Sequence, residues 1–301
     1  MGLLKTIFGK SKQEKNAEAE RINSLIERAT KASPIAADVL KKARDNGVSF
    51  VFDDGMKNAV GAYNPLFKKV CLSSRASDET LLTTIVHESR HATQKLRKDF
   101  SQDLKSAIQI NRAQEADAMA VQCAAAFEMR RSEPDAFLDF STEYNYIMWG
   151  FQKNYEKTHS MDAGIEGAFK SWYENDRYIS SYDERAVDFM RIGKSQRSAF
   201  TQNVPEKDIA DALCRFNGKR YIGAAFLGSQ KATTVHADIA KRAELLEKKG
   251  LFGILRGKEN CSTDYFFLRN EDGTVHKPKH RSSEETEIIK AALRTKGRIC
   301  I

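Results

Sequence analysis

The stretch SDETLLTTIVHESRHATQ, residues 77–94, decides how the surrounding chain folds, and it contains the pentapeptide HExxH. Ser77 predicts a helix start, because its side chain can cap free backbone N–H groups and two acidic residues follow in the first turn. Apolar residues then recur one turn apart, so we expect one face of this helix to be buried. His87 and His91 also lie one turn apart, a spacing that suits two imidazoles on one zinc ion.

Glu88 adds a carboxylate next to the first histidine, where it can take a proton from a metal-bound water. The pentapeptide alone is a moderate signal, since five residues of this kind also arise by chance. The alternatives are a solvated helix face that carries two surface histidines, or a different metal chemistry. Sequence features before and after this helix are therefore needed to distinguish these interpretations.

A small sheet is predicted directly before the helix. Residues 48–52 read as a strand, residues 62–63 and 68–72 as further strand segments, and Asn64-Pro65 as the turn between the last two. An edge strand of such a sheet, placed beside the helix, could bind an extended peptide by pairing with it.

The third zinc ligand is expected on a second helix, predicted over about residues 102–131. Glu115 lies within an apolar stripe of this helix, where a carboxylate usually has a partner because an unpaired buried charge is costly. Asp117 is its competitor. The two side chains point to roughly opposite faces of the helix, so both cannot bind the same ion.

Taken together, His87-Glu88-x-x-His91, the preceding sheet and Glu115-Ala116-Asp117-Ala118 resemble the gluzincin metallopeptidases, most closely the minigluzincin-like domains of bacterial families. The resemblance covers roughly residues 45–130 with specific motifs. It implies one zinc ion per chain, held by His87, His91 and Glu115, with Glu88 as the catalytic base. Many gluzincins place an Asp or Asn four residues after the ligand glutamate, whereas this chain has Met119 there.

The resemblance also implies a side chain that donates a hydrogen bond to the oxyanion formed during peptide hydrolysis. Tyr182 is the favoured residue because it opens a predicted helix. The other candidates for this role are His159, Tyr173 and Tyr178. Asp183 or Asp188 could orient a ligand histidine, and packing or surface positions are the alternative interpretation for all of these residues.

We expect an α+β fold that is mostly α. A small antiparallel or mixed sheet would pack on the active-site helix and the second ligand-bearing helix in a zincin-like arrangement, followed by a helical C-terminal extension. The predicted regions are a basic tail over residues 1–20, a zincin-like metallopeptidase domain over 21–195 and a mainly helical region of unknown role over 205–301.

Composition agrees with a soluble, sizeable globular protein, since 41% of the 301 residues are hydrophobic. No apolar run reaches the roughly 18–20 residues that span a bilayer, and the N-terminus lacks a secretory signal pattern. The five cysteines are scattered without a CxxC pair, which is typical of reduced thiols. We therefore expect a cytoplasmic protein, with a translocated effector as the alternative.

The net charge of +8 constrains the partners only weakly. Basic and apolar residues alternate in the N-terminal tail, which could touch an anionic membrane surface. A second basic stretch over residues 276–281 has no accompanying nucleic-acid-binding motif. The predicted function is zinc-dependent hydrolysis of a protein or peptide substrate. The alternative is a catalytically silent or regulatory binding module on a metallopeptidase-like fold.

Overall fold

The computed structural model describes residues 10–57, 59–196, 199–249 and 262–277. The first nine residues of the predicted tail lie outside these ranges, as does a helix that the sequence pattern predicts over about residues 284–296. The described part is mostly helical with small sheets, as the sequence predicts for an α+β, mainly α protein. The chain divides into two compact units.

The first unit comprises Met1–Lys95, Gln114–Glu174 and Ala212–Tyr221. Its helices are α1 (Lys12–Ala32), α2 (Pro34–Asp45), α3 (Asp78–Thr93), the second part of α4 (Leu104–Met129), α5 (Pro134–Glu143), α6 (Asn145–Thr158) and α7 (Met161–Trp172). Its strands are β1 (Ser49–Phe52), β2 (Gly61–Asn64), β3 (Lys69–Leu72), β4 (Arg215–Phe216) and β5 (Lys219–Arg220).

The three strands before α3 form one mixed sheet in the order β1-β3-β2. β1 runs parallel to β3, and β2 pairs with β3 in the antiparallel sense, with Gly61 opposite Leu72 and Tyr63 opposite Val70. Val70 and Leu72 are buried, and side chains alternate between the faces of a strand. Gly61 and Tyr63 therefore share the buried face of the sheet, and β2 is an edge strand.

Helix α3 packs against α1, α2, α5 and the strands β2 and β3. It begins at Asp78 as the sequence predicts, and the apolar residues before the histidines are fully buried. The sequence pattern predicts this helix to about residue 98, but it ends at Thr93, because Gln94 adopts an extended backbone with ψ 129°. This early end frees the Gln94 side chain to fold back toward the histidines.

The aromatic-rich segment after α4 forms the paired helices α6 and α7, and Trp172, Phe151 and Phe169 are buried there. The aromatic-rich pattern over residues 135–190 predicts Trp149 in the same core. Its side chain is 62% exposed instead, with Lys153 lying over the indole ring. Trp149 is therefore a surface residue of α6.

The second unit comprises Leu96–Ala113, Asn175–Asp211 and Ile222–Ile301. It contains the first part of α4, then α8 (Asp176–Ile192), α9 (Glu206–Leu213, which ends in the first unit), α10 (Ala224–Leu227), α11 (Gln230–Thr233), β6 (Thr234–His236), α12 (Ala237–Lys249), a 3₁₀ turn (Ser262–Tyr265), β7 (Phe267–Arg269) and β8 (Val275–His276). A buried apolar cluster from α4, α8 and α12, including Ile108, Val187 and Ile239, forms its core.

The C-terminal region, predicted as mainly helical with a strand-like stretch over residues 265–268, contains the strands β6, β7 and β8 beside its helices. The sequence pattern predicts a helix over residues 235–249, but α12 begins at Ala237, and Val235 lies in β6, which pairs with β7 in parallel. A helix predicted over residues 208–216 ends at Leu213, and Arg215 and Phe216 form β4. Among the described helices, none combines the length and the hydropathy required to cross a membrane.

Candidate metal centre

The two histidines of the pentapeptide project from one face of α3. The helix is fixed at its start by Ser77, whose Oγ accepts a hydrogen bond from the Thr80 backbone N–H at 3.2 Å. From that start, His87 and His91 fall one turn apart near the C-terminal end of the helix. Their Nε2 atoms lie 3.1 Å from each other, so both can bind the same ion.

Helix α4 brings Glu115 to this pair. Its Oε2 lies 3.6 Å from Nε2 of His87 and 3.5 Å from Nε2 of His91. Tetrahedral zinc with ligand bonds of about 2.0–2.1 Å keeps its ligand atoms about 3.3 Å apart. The three observed separations bracket that value, and the donor set of two imidazoles and a carboxylate is one that zinc accepts. The residues therefore fit a zinc ion.

The electrostatics of the cluster favour a positive charge at its centre. The three side chains are only 13–18% exposed. Burial acts to lower the pKa of His91, but the adjacent Glu115 carboxylate outweighs burial and raises that pKa to about 9. Burial likewise acts to raise the pKa of Glu115, and the two histidines outweigh it, so that pKa is held well below its usual range. A metal cation would satisfy the same preference.

Gln94 contacts His91, the second histidine, at the ring nitrogen that points away from the cluster. Its Oε1 lies 2.9 Å from Nδ1 of His91, on the side of the ring away from the cluster. Its Nε2 donates hydrogen bonds to the Gln114 carbonyl and to Oδ2 of Asp117, both at 2.8 Å. The side chain is buried, and it links the end of α3 to α4.

Asp117 does not belong to the cluster. It lies two residues beyond Glu115 on the opposite side of α4, as the helical geometry predicts, and its side chain is fully buried. Arg90 of the pentapeptide donates to both of its oxygens, from Nε at 2.7 Å and from an Nη at 2.8 Å. The Tyr221 hydroxyl donates to the same carboxylate at 2.5 Å.

The strand pair β4–β5 is joined to this carboxylate through Arg90 and Tyr221. Arg90 donates to the Arg215 carbonyl at 2.8 Å as well as to Asp117. Burial and the Asp117 charge together raise the pKa of Tyr221, so its hydroxyl stays protonated and can donate. Arg90 thus connects the pentapeptide to a segment more than a hundred residues later in the chain.

Glu88 is buried on α3 and lies against the edge strand β2. A Cβ atom added to Gly61 would come 2.8 Å from Glu88 Cγ and 3.1 Å from Glu88 Oε1. It would also come 2.6 Å from Cγ2 of Thr84, one turn earlier. The absence of a side chain at Gly61 therefore lets the edge strand approach the carboxylate directly.

The predicted oxyanion donors lie in other local settings. Tyr182 and Tyr178 are ring neighbours on α8 in the second unit, and Arg185 lies over the Tyr182 ring. In the first unit, Tyr173 is buried against Trp172 and Phe169, and His159 ends α6 in a left-handed conformation. The role of Tyr182 in catalysis stays a prediction.

The two aspartates proposed to orient a histidine have other partners. Asp183 is fully buried and accepts hydrogen bonds from Nε and an Nη of Arg112. Asp188 accepts a hydrogen bond from Arg242 at 3.1 Å. Gln94 is the residue that contacts Nδ1 of His91, a role that the sequence analysis does not predict. Its position three residues after His91 was the available signal.

One further nitrogen of the cluster is buried. Nδ1 of His87 has no hydrogen-bond partner within the described ranges of the chain. The two histidines are therefore held differently, His91 by Gln94 and His87 by its packing on α3.

These observations define a compact two-helix centre suited to a metal ion, with a carboxylate beside it. A family model described as "Putative metallopeptidase family (DUF6782)" matches residues 6–222. The chain belongs to this metallopeptidase family. The match includes His87, Glu88, His91 and Glu115. No curated protein and no solved structure matches the chain.

Proposed function

We propose that the protein is a zinc-dependent endopeptidase of the gluzincin type. His87, His91 and Glu115 would hold one zinc ion, and Glu88 would act as general base and then general acid. The observation that carries this proposal is the meeting of three ligand atoms from α3 and α4 at separations of 3.1–3.6 Å. The sheet, the helix with the pentapeptide and the second ligand-bearing helix support a zincin-like arrangement.

Three protein ligands leave a fourth position of a tetrahedral ion open, which is the pattern of catalytic and not of structural zinc sites. A zinc ion held there would supply a Lewis acid that activates water and polarises a peptide carbonyl. A structural site would instead use a fourth side chain to close the coordination.

Glu88 follows the first ligand directly, and its side chain is buried beside β2. From this position its carboxylate can accept a proton from the attacking water. It can then return that proton to the nitrogen of the leaving amine as the peptide bond breaks. A carboxylate is suited to this double role because it takes up and releases the same proton within one turnover.

The substrate is proposed to be an extended segment of a protein or peptide. In the described part of the chain, β2 pairs with β3 on one side only. Its outer edge offers backbone N–H and C=O groups to which a peptide can add as a further strand. Because Gly61 has no side chain, such a peptide would run close to Glu88.

A cytoplasmic location is part of the same proposal. Cys71, Cys123 and Cys214 are free thiols, and Cys123 and Cys214 are buried. Reduced cysteines of this kind are usual in the cytosol.

The proposal is tested by Glu88→Gln. We expect the variant to bind zinc like the wild type, because the three ligands are intact, and to lose peptidase activity by a factor of about 10²–10⁴. Cleavage would be followed by mass spectrometry on a defined mixture of tetradecapeptides with the zinc-loaded full chain. Glu79→Gln makes the same chemical change in the first turn of α3 and should keep full activity.

Equal activity of wild type and Glu88→Gln would contradict the proposed mechanism. Absence of cleavage in the wild-type protein, with zinc bound, would favour the alternative of a binding module on a metallopeptidase-like fold. Zinc content measured in the same samples separates these outcomes from a failure to load the metal.

A further inference from the structure

The hydrogen bonds around Gln94 determine which nitrogen of His91 carries the proton. A carboxylate and a backbone carbonyl accept hydrogen bonds, whereas an arginine side chain only donates them. Asp117 receives Arg90 at both of its oxygens, so it is an acceptor toward its neighbours. The Gln94 atom that lies 2.8 Å from Oδ2 of Asp117 must therefore be the amide nitrogen.

The second contact of the Gln94 side chain also identifies the same atom as the amide nitrogen. It lies 2.8 Å from the Gln114 backbone carbonyl, which can only accept. If the Gln94 amide were turned over, its oxygen would face two acceptors in a buried place, and both contacts would become repulsive. The amide oxygen is consequently fixed on the side of His91.

His91 must then donate to it. Oε1 of Gln94 lies 2.9 Å from Nδ1 of His91, and an amide oxygen accepts hydrogen bonds, so Nδ1 carries the hydrogen. In the neutral ring the other nitrogen, Nε2, is left with a free lone pair. This is the atom that lies 3.1 Å from Nε2 of His87 and 3.5 Å from Glu115.

We propose that Asp117 is a positioning residue for the metal centre, acting through Gln94 to keep His91 in the tautomer that can bind a metal. This inference rests on the zinc site of the proposed function. It gives the two acidic residues of the Glu115-Ala116-Asp117 stretch separate tasks. Glu115 binds the ion, and Asp117 orients the group that orients a ligand.

Asp117→Asn tests this relay from Asp117 through Gln94 to His91, because it replaces one acceptor oxygen with a donor NH₂ group. Arg90 can only donate, whereas the Tyr221 hydroxyl and the Gln94 amide can each turn an acceptor toward the new NH₂ group. Where the NH₂ group takes the place of Oδ2, Gln94 must turn its oxygen toward it. Gln94 would then present its own NH₂ group to His91. The proton of His91 would move to Nε2, where it blocks the metal.

We expect the zinc dissociation constant of Asp117→Asn to rise about 10–100-fold, the usual effect of losing an outer partner of a ligating histidine. It would be measured by competition with a chelating indicator on the full chain. Gln94→Leu removes the hydrogen bond to His91 without altering Asp117, and should raise the constant to a similar extent. This second variant keeps the test informative if Asp117→Asn folds poorly.

Asp183→Asn is the matched control. Asp183 is also buried and also takes two hydrogen bonds from one arginine, Arg112, but it belongs to the second unit, whereas Gln94 belongs to the first. Its substitution should lower the melting temperature and leave the zinc dissociation constant within twofold of the wild type. A comparable loss of zinc affinity in Asp183→Asn would mean that general destabilisation explains the effect, and would overturn the proposal.

A direct readout is available in the metal-free protein. Nitrogen-15 NMR of the histidine rings, recorded at a pH above the His91 pKa of about 9 so that the ring is neutral, distinguishes a proton on Nδ1 from one on Nε2. We expect the Nδ1–H form of His91 in the wild type and the Nε2–H form in Asp117→Asn. An Nε2–H form in the wild type, or unchanged zinc affinity in both Asp117→Asn and Gln94→Leu, would overturn the relay. Zinc binding that survives His87→Ala would instead count against the site itself, and so against the proposed function.

Discussion

Gly61 lies directly against Glu88, so that a methyl group at position 61 would come within 2.8 Å of the Glu88 side chain. We expect Gly61→Ala to lower the free energy of unfolding by about 1–3 kcal/mol, because neither β2 nor α3 can move without disturbing its packing. The displaced Glu88 should also lower peptidase activity. Thermal unfolding and the tetradecapeptide assay measure the two effects.

Gly228→Ala serves as the comparison. Gly228 has a φ of −87°, and the nearest atom to an added Cβ would be 3.6 Å away, which is an ordinary contact. Its substitution should leave both stability and activity near the wild-type values. If Gly61→Ala were equally silent, the close approach of β2 to the carboxylate would be wrong.

Removal of zinc should destabilise the protein. A ligand that binds only the folded state stabilises it by about 2.7 kcal/mol when the free concentration is 100 times the dissociation constant. We therefore expect about one zinc per chain by elemental analysis, and a melting temperature that falls when a chelator is added. His87→Ala should bind little zinc and should show no response to the chelator.

Zinc-free protein after purification and reconstitution would contradict this prediction, as would a chelator effect that persists in His87→Ala. The measurement needs no knowledge of the substrate, and it addresses the metal site separately from the chemistry.

Ser77 holds the start of the helix that carries both histidines. Ser77→Ala should cost about 1 kcal/mol, since it leaves the Thr80 N–H without its acceptor. Ser77→Asp keeps a side-chain oxygen at the cap and adds a negative charge near the helix N-terminus, so it should retain the wild-type stability. Urea unfolding of the three proteins would rank them, and equal midpoints for all three would refute the capping role.

Among the ion pairs described in the second unit, we expect the loss of the buried pair of Arg112 and Asp183 to lower the free energy of unfolding the most. Arg112 also donates to the Ala232 and Thr234 carbonyls, at 2.7 and 2.8 Å. Arg112→Ala leaves these acceptors and the Asp183 carboxylate buried without their donor, and should cost about 3–5 kcal/mol.

The exposed pair of Lys41 and Asp45 gives the contrast for this prediction. Both side chains are more than half exposed, and they lie one helical turn apart. Asp45→Asn should therefore leave the free energy of unfolding close to the wild-type value. Similar losses in Arg112→Ala and Asp45→Asn would show that burial does not set the cost of breaking these pairs.

Local patterns in the sequence predict much of what surrounds the centre. Ser77 and the apolar residues after it predict the helix start, and the strand segments before it appear as β1, β2 and β3. The apolar stripe around Glu115 predicts the second helix to within two residues at each end. These features depend on residues that are close together in the sequence, so they can be predicted from one sequence alone.

The outer part of the centre could not be predicted in the same way. The partners of Asp117 include Tyr221, which is 104 residues away in the sequence. The role of Gln94 depends on the end of α3 at Thr93 and on which way its amide points. Such contacts arise from tertiary packing, which produces no periodic pattern of residues in the sequence. Val235 fails as a helix residue for a related reason, since pairing with β7 overrides its local preference.

The fixed amide of Gln94 has an evolutionary consequence. Under the proposed role of Asp117, a glutamine at position 94 is oriented toward His91 more firmly when position 117 offers a pure acceptor, and an aspartate at 117 gains a donor to face. Substitutions at these two positions should therefore occur together across the family, more often than either occurs alone. A search for distant members would then gain more from the joint pattern HExxHxxQ and ExD than from the pentapeptide by itself.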